Sequence, residues 1–338
     1  MAQIAQKPPV RLDSERPVIY LLGALGVLAV VLRVFDPSEV AAAQNFLLVF
    51  GSLLIEAVPF ILLGALVSAL IEVFVPQRVF DRLALLPRPL QLPAAGLAGF
   101  AFPVCECGSV PVARRLAAKG LAPSAAITFM LAAPILNPVV LASTFVAYRG
   151  RDVMLPMVIG RGALGLLAAM AVGWVIGTRS PQEMLKQRDG DGHGHHGHEH
   201  EGEGRGRWPE FFGHLSGDFT FMGRYLVFGA AVAATMQTFV PQSIIGSVAS
   251  TPVLSILAMM GLAFLLSLCS ESDAFVAASF VQFGVGAQLA FLVFGPMVDT
   301  KLGFLYSATF TKGFFRTVIL VVGAVTLAAT LWIEVLIG

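Results

Sequence analysis

The stretch FPVCECGSVP at residues 102–111 decides how this chain is read. Apolar sequence flanks it on both sides, yet it carries Pro103, Pro111, Gly108, Cys105, Cys107 and the carboxylate Glu106. Proline has no N–H to give and its ring clashes with the carbonyl one turn back, so a continuous helix is not expected here. Non-helical backbone at membrane depth is tolerated only where protein or a water-filled cavity surrounds it. The expectation is a re-entrant hairpin whose tip turns Cys105, Glu106 and Cys107 toward a polar cavity.

The rest of the chain supplies the membrane. Of 338 residues, 57% are hydrophobic and 13% are charged, about half the charge of a soluble domain. Apolar segments read at 18–35, 45–75, 91–106, 122–148, 152–177, 218–240, 252–268, 285–311 and 313–337. A span needs roughly 20 such residues, and backbone groups in lipid must bond within their own segment, so the segments are helices. A polar leader (1–17) precedes an extra N-terminal span (18–44), and no cleavage site follows the first apolar run. The net charge of +1 gives no case for nucleic-acid binding.

Residues 178–217 break the apolar pattern. This linker is polar and Gly-rich, carries His193, His195, His196, His198 and His200, and is expected to be disordered. Neutral imidazoles there would bind Zn²⁺, Ni²⁺, Co²⁺ or Cu²⁺ with low selectivity, or the tract is incidental. It divides the chain into halves that repeat. GALVSALIEVFVP (64–76) and GAAVAATMQTFVP (229–241) share seven of 13 positions at an offset of 165. At an offset of 162, Gly99 meets Gly261, Cys107 meets Cys269, Pro134 meets Pro296 and Asn137 meets Asp299.

Lys and Arg set the topology. With every segment spanning, for eight or nine spans, they divide almost evenly between the two sides. With 91–119 and 252–284 as re-entrant hairpins, Arg114, Arg115, Lys119 and the linker fall inside, leaving Arg33, Arg149 and Arg151 outside. The positive-inside rule prefers the hairpins. The expected fold is an all-α polytopic membrane protein of about seven spans plus two hairpins. Each repeat (45–177 and 218–338) then has an odd number of spans and the two are inverted, with broken helices meeting at the midplane.

Several residues carry the candidate chemistry. Thiolates at Cys105 and Cys107 favour soft or borderline metals and metalloids, whereas as small apolar fillers they would pack and nothing more. The partner tip holds Cys269, Glu271 and Asp273. Its carboxylates either sit at depth, where they need pairing, water or an ion, or reach the surface as solvated charges. Pro134 with Asn137 and Pro138, and Pro296 with Asp299, break the two following segments. Freed carbonyls there can coordinate a cation, and packing kinks are the alternative. Lys301, two residues after Asp299, lies on a different face of a regular helix and needs its own partner. Glu56, in the middle of 45–75, is a candidate for proton coupling or half of a structural pair with Arg161 or Arg224.

FPVCECGSVPVARRLAAKG, followed by AITFMLAAPILNPVVLAST, resembles the signature of the YraQ-type predicted permeases, the family that includes organoarsenical efflux permeases. The resemblance covers 45–337. It implies a multi-pass permease of the cytoplasmic membrane, with Cys105, Cys107, Pro111, Pro134, Asn137 and Pro138 in the family's motifs, and a second membrane subunit as a partner. Some members have Cys-Ser-Cys where this chain has Cys105-Glu106-Cys107.

The functional expectation is a secondary permease that exports a soft metal ion, a metalloid or a thiophilic small solute. Cys105, Cys107 and Cys269 would contact cargo, Asn137 and Asp299 would shape the site, and Glu56, Glu271 or Lys301 would serve coupling. No Walker A pattern is present, and no cofactor is expected. A membrane thiol–disulfide oxidoreductase and a non-transporting subunit or sensor are the alternatives.

Overall fold

A computed structural model describes residues 41–76, 78–79, 87–102, 104–177, 207–239 and 252–337. The leader, nearly all of the expected first span and the five linker histidines lie outside them. Among the described residues there are twelve helices and no strand. Five helical stretches are long and apolar enough to cross a membrane.

The first half contains α1 (Ala41–Phe74), α2 (Arg88–Ala98), α3 (Glu106–Ala118), α4 (Pro123–Leu136), α5 (Pro138–Ala147) and α6 (Met154–Ile176). The second contains α7 (Arg207–Phe239), α8 (Pro252–Leu266), α9 (Asp273–Ser279), α10 (Val285–Phe294), α11 (Thr300–Thr309) and α12 (Lys312–Ile337). At 1.5 Å per residue, α2 and α3 reach only about 17 and about 20 Å, short of a hydrocarbon core about 30 Å thick.

Three expectations need correction. α7 starts at Arg207, so 207–217 are helix rather than disordered linker. Trp208 and Phe211 stack there with Phe74 of α1, and Phe212 packs on both of them, which gives this end apolar packing despite its polar neighbours. Residues 99–102 and 104–105 are non-helical, so the break at the first tip comes before most of the quoted motif. Gly108 and Pro111 are inside α3; Pro111, its sixth residue, has no N–H to give to Cys107 O, so the helix runs on with one internal bond fewer. Gly108 is there for close approach, since a Cβ added at Gly64 of α1 would overlap its backbone.

Side chains start the helices after the breaks. Cys105 Sγ accepts from Gly108 N (3.3 Å) and caps α3. Asn137 Oδ1 accepts from Val139 N (3.0 Å) at the start of α5, with Pro138 at its first position. Asp299 Oδ1 accepts from Leu302 N (2.6 Å) at the start of α11. These bonds satisfy amide donors that the first turn of a helix leaves without partners. At the second tip Ser267 ends α8 with φ 47°, rare for a residue with a side chain. Its hydroxyl donates to Phe264 O (3.1 Å) and accepts from Thr300 N (3.0 Å), which fastens the tip to α11.

Candidate functional site

The two tips meet. Ser270 Oγ, from the second, donates to Glu106 Oε2, at the start of α3, at 3.1 Å. Lys301 Nζ lies 3.8 Å from Glu106 Oε1, 3.8 Å from Asp299 Oδ2 and 4.0 Å from Cys269 Sγ. Glu106, Asp299 and Lys301 are each at most 1% exposed, and the three cysteines 2%. All three thiols are free.

Lys301 and Asp299 therefore pair with each other, against the expectation from a regular helix. Asp299 sits at the N-cap in extended backbone (φ −138°, ψ 176°), and that turn folds its carboxylate back toward the lysine. At 3.8 Å these ion pairs exceed hydrogen-bond length. Glu106 Oε1 and Asp299 Oδ2 accept no hydrogen bond, so they hold the ammonium by charge, while it donates to Cys269 Sγ.

A second buried pair braces the same tip. Arg161 of α6, fully buried, donates to Asp273 Oδ2 (2.7 Å), Ser270 O (3.1 Å) and Thr144 Oγ1 of α5 (2.8 Å). Two charges in a dry interior need such partners to offset their lost hydration. Arg161 is thus the partner of Asp273 and not of Glu56. Arg224 lies outside, over the rings of Phe221 and Tyr225. Glu56, half-buried on α1, accepts from Ser272 Oγ at 2.8 Å. Between these groups stands Glu271. Neither of its carboxylate oxygens accepts a hydrogen bond, and the negative charges that act on it most are those of Glu106, Asp273 and Glu56.

Of the residues singled out in the sequence, Glu106, Cys269, Asp299 and Lys301 come together directly. Glu56 and Asp273 join them through the serines of the second tip. Pro134 is buried within α4 and Pro296 in the turn before α11. Asn137 is buried with its carbonyl oxygen spent on its own helix, and Pro138 is exposed. Sequence reasoning missed the roles of Ser270 and Ser272, which alternate with Glu271 and Asp273 in the polar tip, and of Thr144, a hydroxyl in an apolar stretch. Among the described residues, no three His, Cys, Asp or Glu side chains stand together as a metal site.

A family model described as Predicted permease (ArsP_1) matches residues 42–335, from α1 through α12. The chain belongs to this family of predicted permeases. It is a multi-pass protein of the cell membrane. The UPF0718 protein YcgR of Bacillus subtilis is 41% identical over 287 residues, 85% of this chain and 96% of the relative. A protein of Streptococcus mutans named "Putative two-component membrane permease complex subunit" is 38% identical over 258 residues, 75% of this chain and 83% of the relative. No solved structure matches significantly.

Proposed function

We propose that this protein is a secondary permease that exports a soft metal ion, metalloid or thiophilic small solute through the junction of the two tips. The observation that carries the reading is the contact of Ser270 with Glu106. It joins turns 164 residues apart and gathers thiols, carboxylates and one ammonium where an apolar core is cheaper. Thiols supply affinity for soft cargo. Five carboxylates (Glu56, Glu106, Glu271, Asp273 and Asp299) surround two cations (Lys301 and Arg161), a balance that favours positive cargo or protons. Cargo would gather donors now held apart around Lys301, with Glu271 and Glu56 as the coupling pair.

The helix order supports a reading of two inverted repeats with re-entrant hairpins. α4 and α10 begin at 123 and 285, and α5 and α11 run over 138–147 and 300–309, the same displacement of 162 residues. Asn137 and Asp299 occupy the same capping position in their two breaks. A long helix, a short-legged hairpin, a broken helix and a second long helix follow one another in each half. Three crossings per half would set the halves in opposite senses, a recurrent transporter plan. The printed name of the Streptococcus relative supports a second membrane subunit as partner.

Flux into proteoliposomes of Zn²⁺, Cu⁺, Ni²⁺, Co²⁺ and trivalent arsenicals tests the reading. At least one should cross in the native protein and be slowed at least about tenfold by Cys105→Ser or Cys107→Ser, as expected when a thiolate ligand is lost. A native protein that moves none of them, alone or with its genomic neighbour, rules the reading out.

A further inference from the structure

α3 carries Glu106 at one end, and at the other a cluster of charges that the cargo site does not use. Arg115 lies nine residues after Glu106, about 14 Å along the helix. Its Nη1 is 3.3 Å from Glu72 Oε2 of α1, and its Nη2 is 3.3 Å from Asp218 Oδ2 and 3.1 Å from His214 Nδ1, both of α7. Ser68 Oγ of α1 donates to the same Asp218 oxygen at 2.8 Å. One guanidinium thus ties the hairpin leg to both long helices.

The tie sets the state of His214. A guanidinium has donors only, so Nδ1 must offer its lone pair and the ring's proton sits on Nε2, which faces Glu210 Oε1 at 3.8 Å. A proton added at Nδ1 would set two donors and two positive charges against each other at 3.1 Å, and the contact could not persist. Among the described residues, the charged groups joined to His214 directly or through Arg115 are Arg115 from α3, Glu72 from α1, and Glu210 and Asp218 from its own helix. Asp218 already accepts from Ser68 and Arg115. Glu210, at 59% exposure, is open to water and free to receive the charged ring. Protons have access: the His214 side chain is 32% exposed. Trp208, Phe211 and Phe212 stack one turn away, as aromatic residues do at a membrane–water interface. Lys119, farther along α3, stays bound to the last carbonyls of α1, Ile71 O and Glu72 O (3.1 and 2.7 Å).

We propose that Arg115 and His214 form a proton-operated latch. With His214 neutral, Arg115 binds its ring as well as Glu72 and Asp218; with His214 protonated, the ring lets go, the hold of α7 on Arg115 falls to Asp218 alone, and the α3 leg loosens. The latch stands whatever the cargo proves to be.

Hydrogen exchange of the full-length protein in nanodiscs, corrected for intrinsic exchange, tests it at about pH 8 and about pH 5.5, either side of histidine titration. Native protein should lose protection over residues 106–118 at the lower pH by about tenfold or more, while 154–176 in α6 stay protected. In His214→Asn, Oδ1 takes the place of Nδ1 and accepts from Arg115 without titrating, so the leg should stay protected at both values. Arg115→Gln removes the like charge and should likewise abolish the pH dependence, from a lower starting protection. Protection of α6 reports whether each variant has folded, and either variant suffices. Native protein with no pH-dependent loss in 106–118, or a folded variant that keeps the native loss, overturns the latch.

Discussion

Ser270 and Glu106 share a hydrogen bond of 3.1 Å between two turns that belong to different halves of the chain. Glu106 has its other oxygen toward Lys301, so the bond links the second tip to the buried ammonium. Ser270→Ala strips a donor from a buried carboxylate and should cost about 1–3 kcal/mol. Glu106→Gln should cost more, about 3–5 kcal/mol, because Lys301 loses a counter-charge. Adding Lys301→Met to Glu106→Gln should not recover that loss, because Asp299 is then left charged without its cation; adding Asp299→Asn as well should recover much of it. Unfolding midpoints in detergent would read the set, and a triple variant no better than Glu106→Gln would mean that these charges do not interact.

Arg161→Met should destabilise by about 3–5 kcal/mol, since Asp273 is left charged in a dry core. Arg161→Lys should rescue only partly. An ammonium on a shorter reach cannot give the planar fork that now serves Thr144, Ser270 O and Asp273 together. Arg161→Met with Asp273→Leu, which removes both charges, should return close to native stability. A thermal-stability double-mutant cycle checks the set, and additive losses would contradict it.

Asp299 has two duties, and two substitutions separate them. Asp299→Asn keeps an oxygen for Leu302 N, so α11 should remain capped while Lys301 loses a counter-charge. Asp299→Ala also loses the cap, a further cost of about 1 kcal/mol. Equal melting temperatures for the two variants would show that the cap contributes nothing.

Gly64→Val should be among the most damaging single changes in α1. The added side chain meets the backbone of Gly108, which cannot retreat as a flexible side chain would, and overpacking of this kind costs about 1–3 kcal/mol or more. Gly51→Ala in the same helix meets nothing within 4 Å and should be neutral or stabilising by up to about 1 kcal/mol. Expression and melting temperature of the pair provide the check.

The breaks at Asn137 and before Thr300 were readable from residue type alone. Proline and glycine interrupt helices, and Asn137 and Asp299 are residues whose short polar side chains cap the helix that follows. Where the reading failed, local chemistry was overruled by packing. Gly108 and Pro111 entered α3 because the helix needed a small residue against Gly64 and could carry a proline at the loss of one internal bond. Residues 207–217 became helix because their aromatic face stacks on Phe74.

The sequence by itself determined that the chain is helical, crosses the membrane several times and is broken at matched places, because backbone bonding in lipid and proline sterics act within a few residues. Tertiary structure decided which charge meets which: Arg161 with Asp273 rather than Glu56, and Lys301 among Glu106, Asp299 and Cys269. Those partners lie up to 195 residues apart along the chain. The energy of an ion pair depends on the distance and dryness that folding creates, and neither is encoded in the neighbours of any one residue.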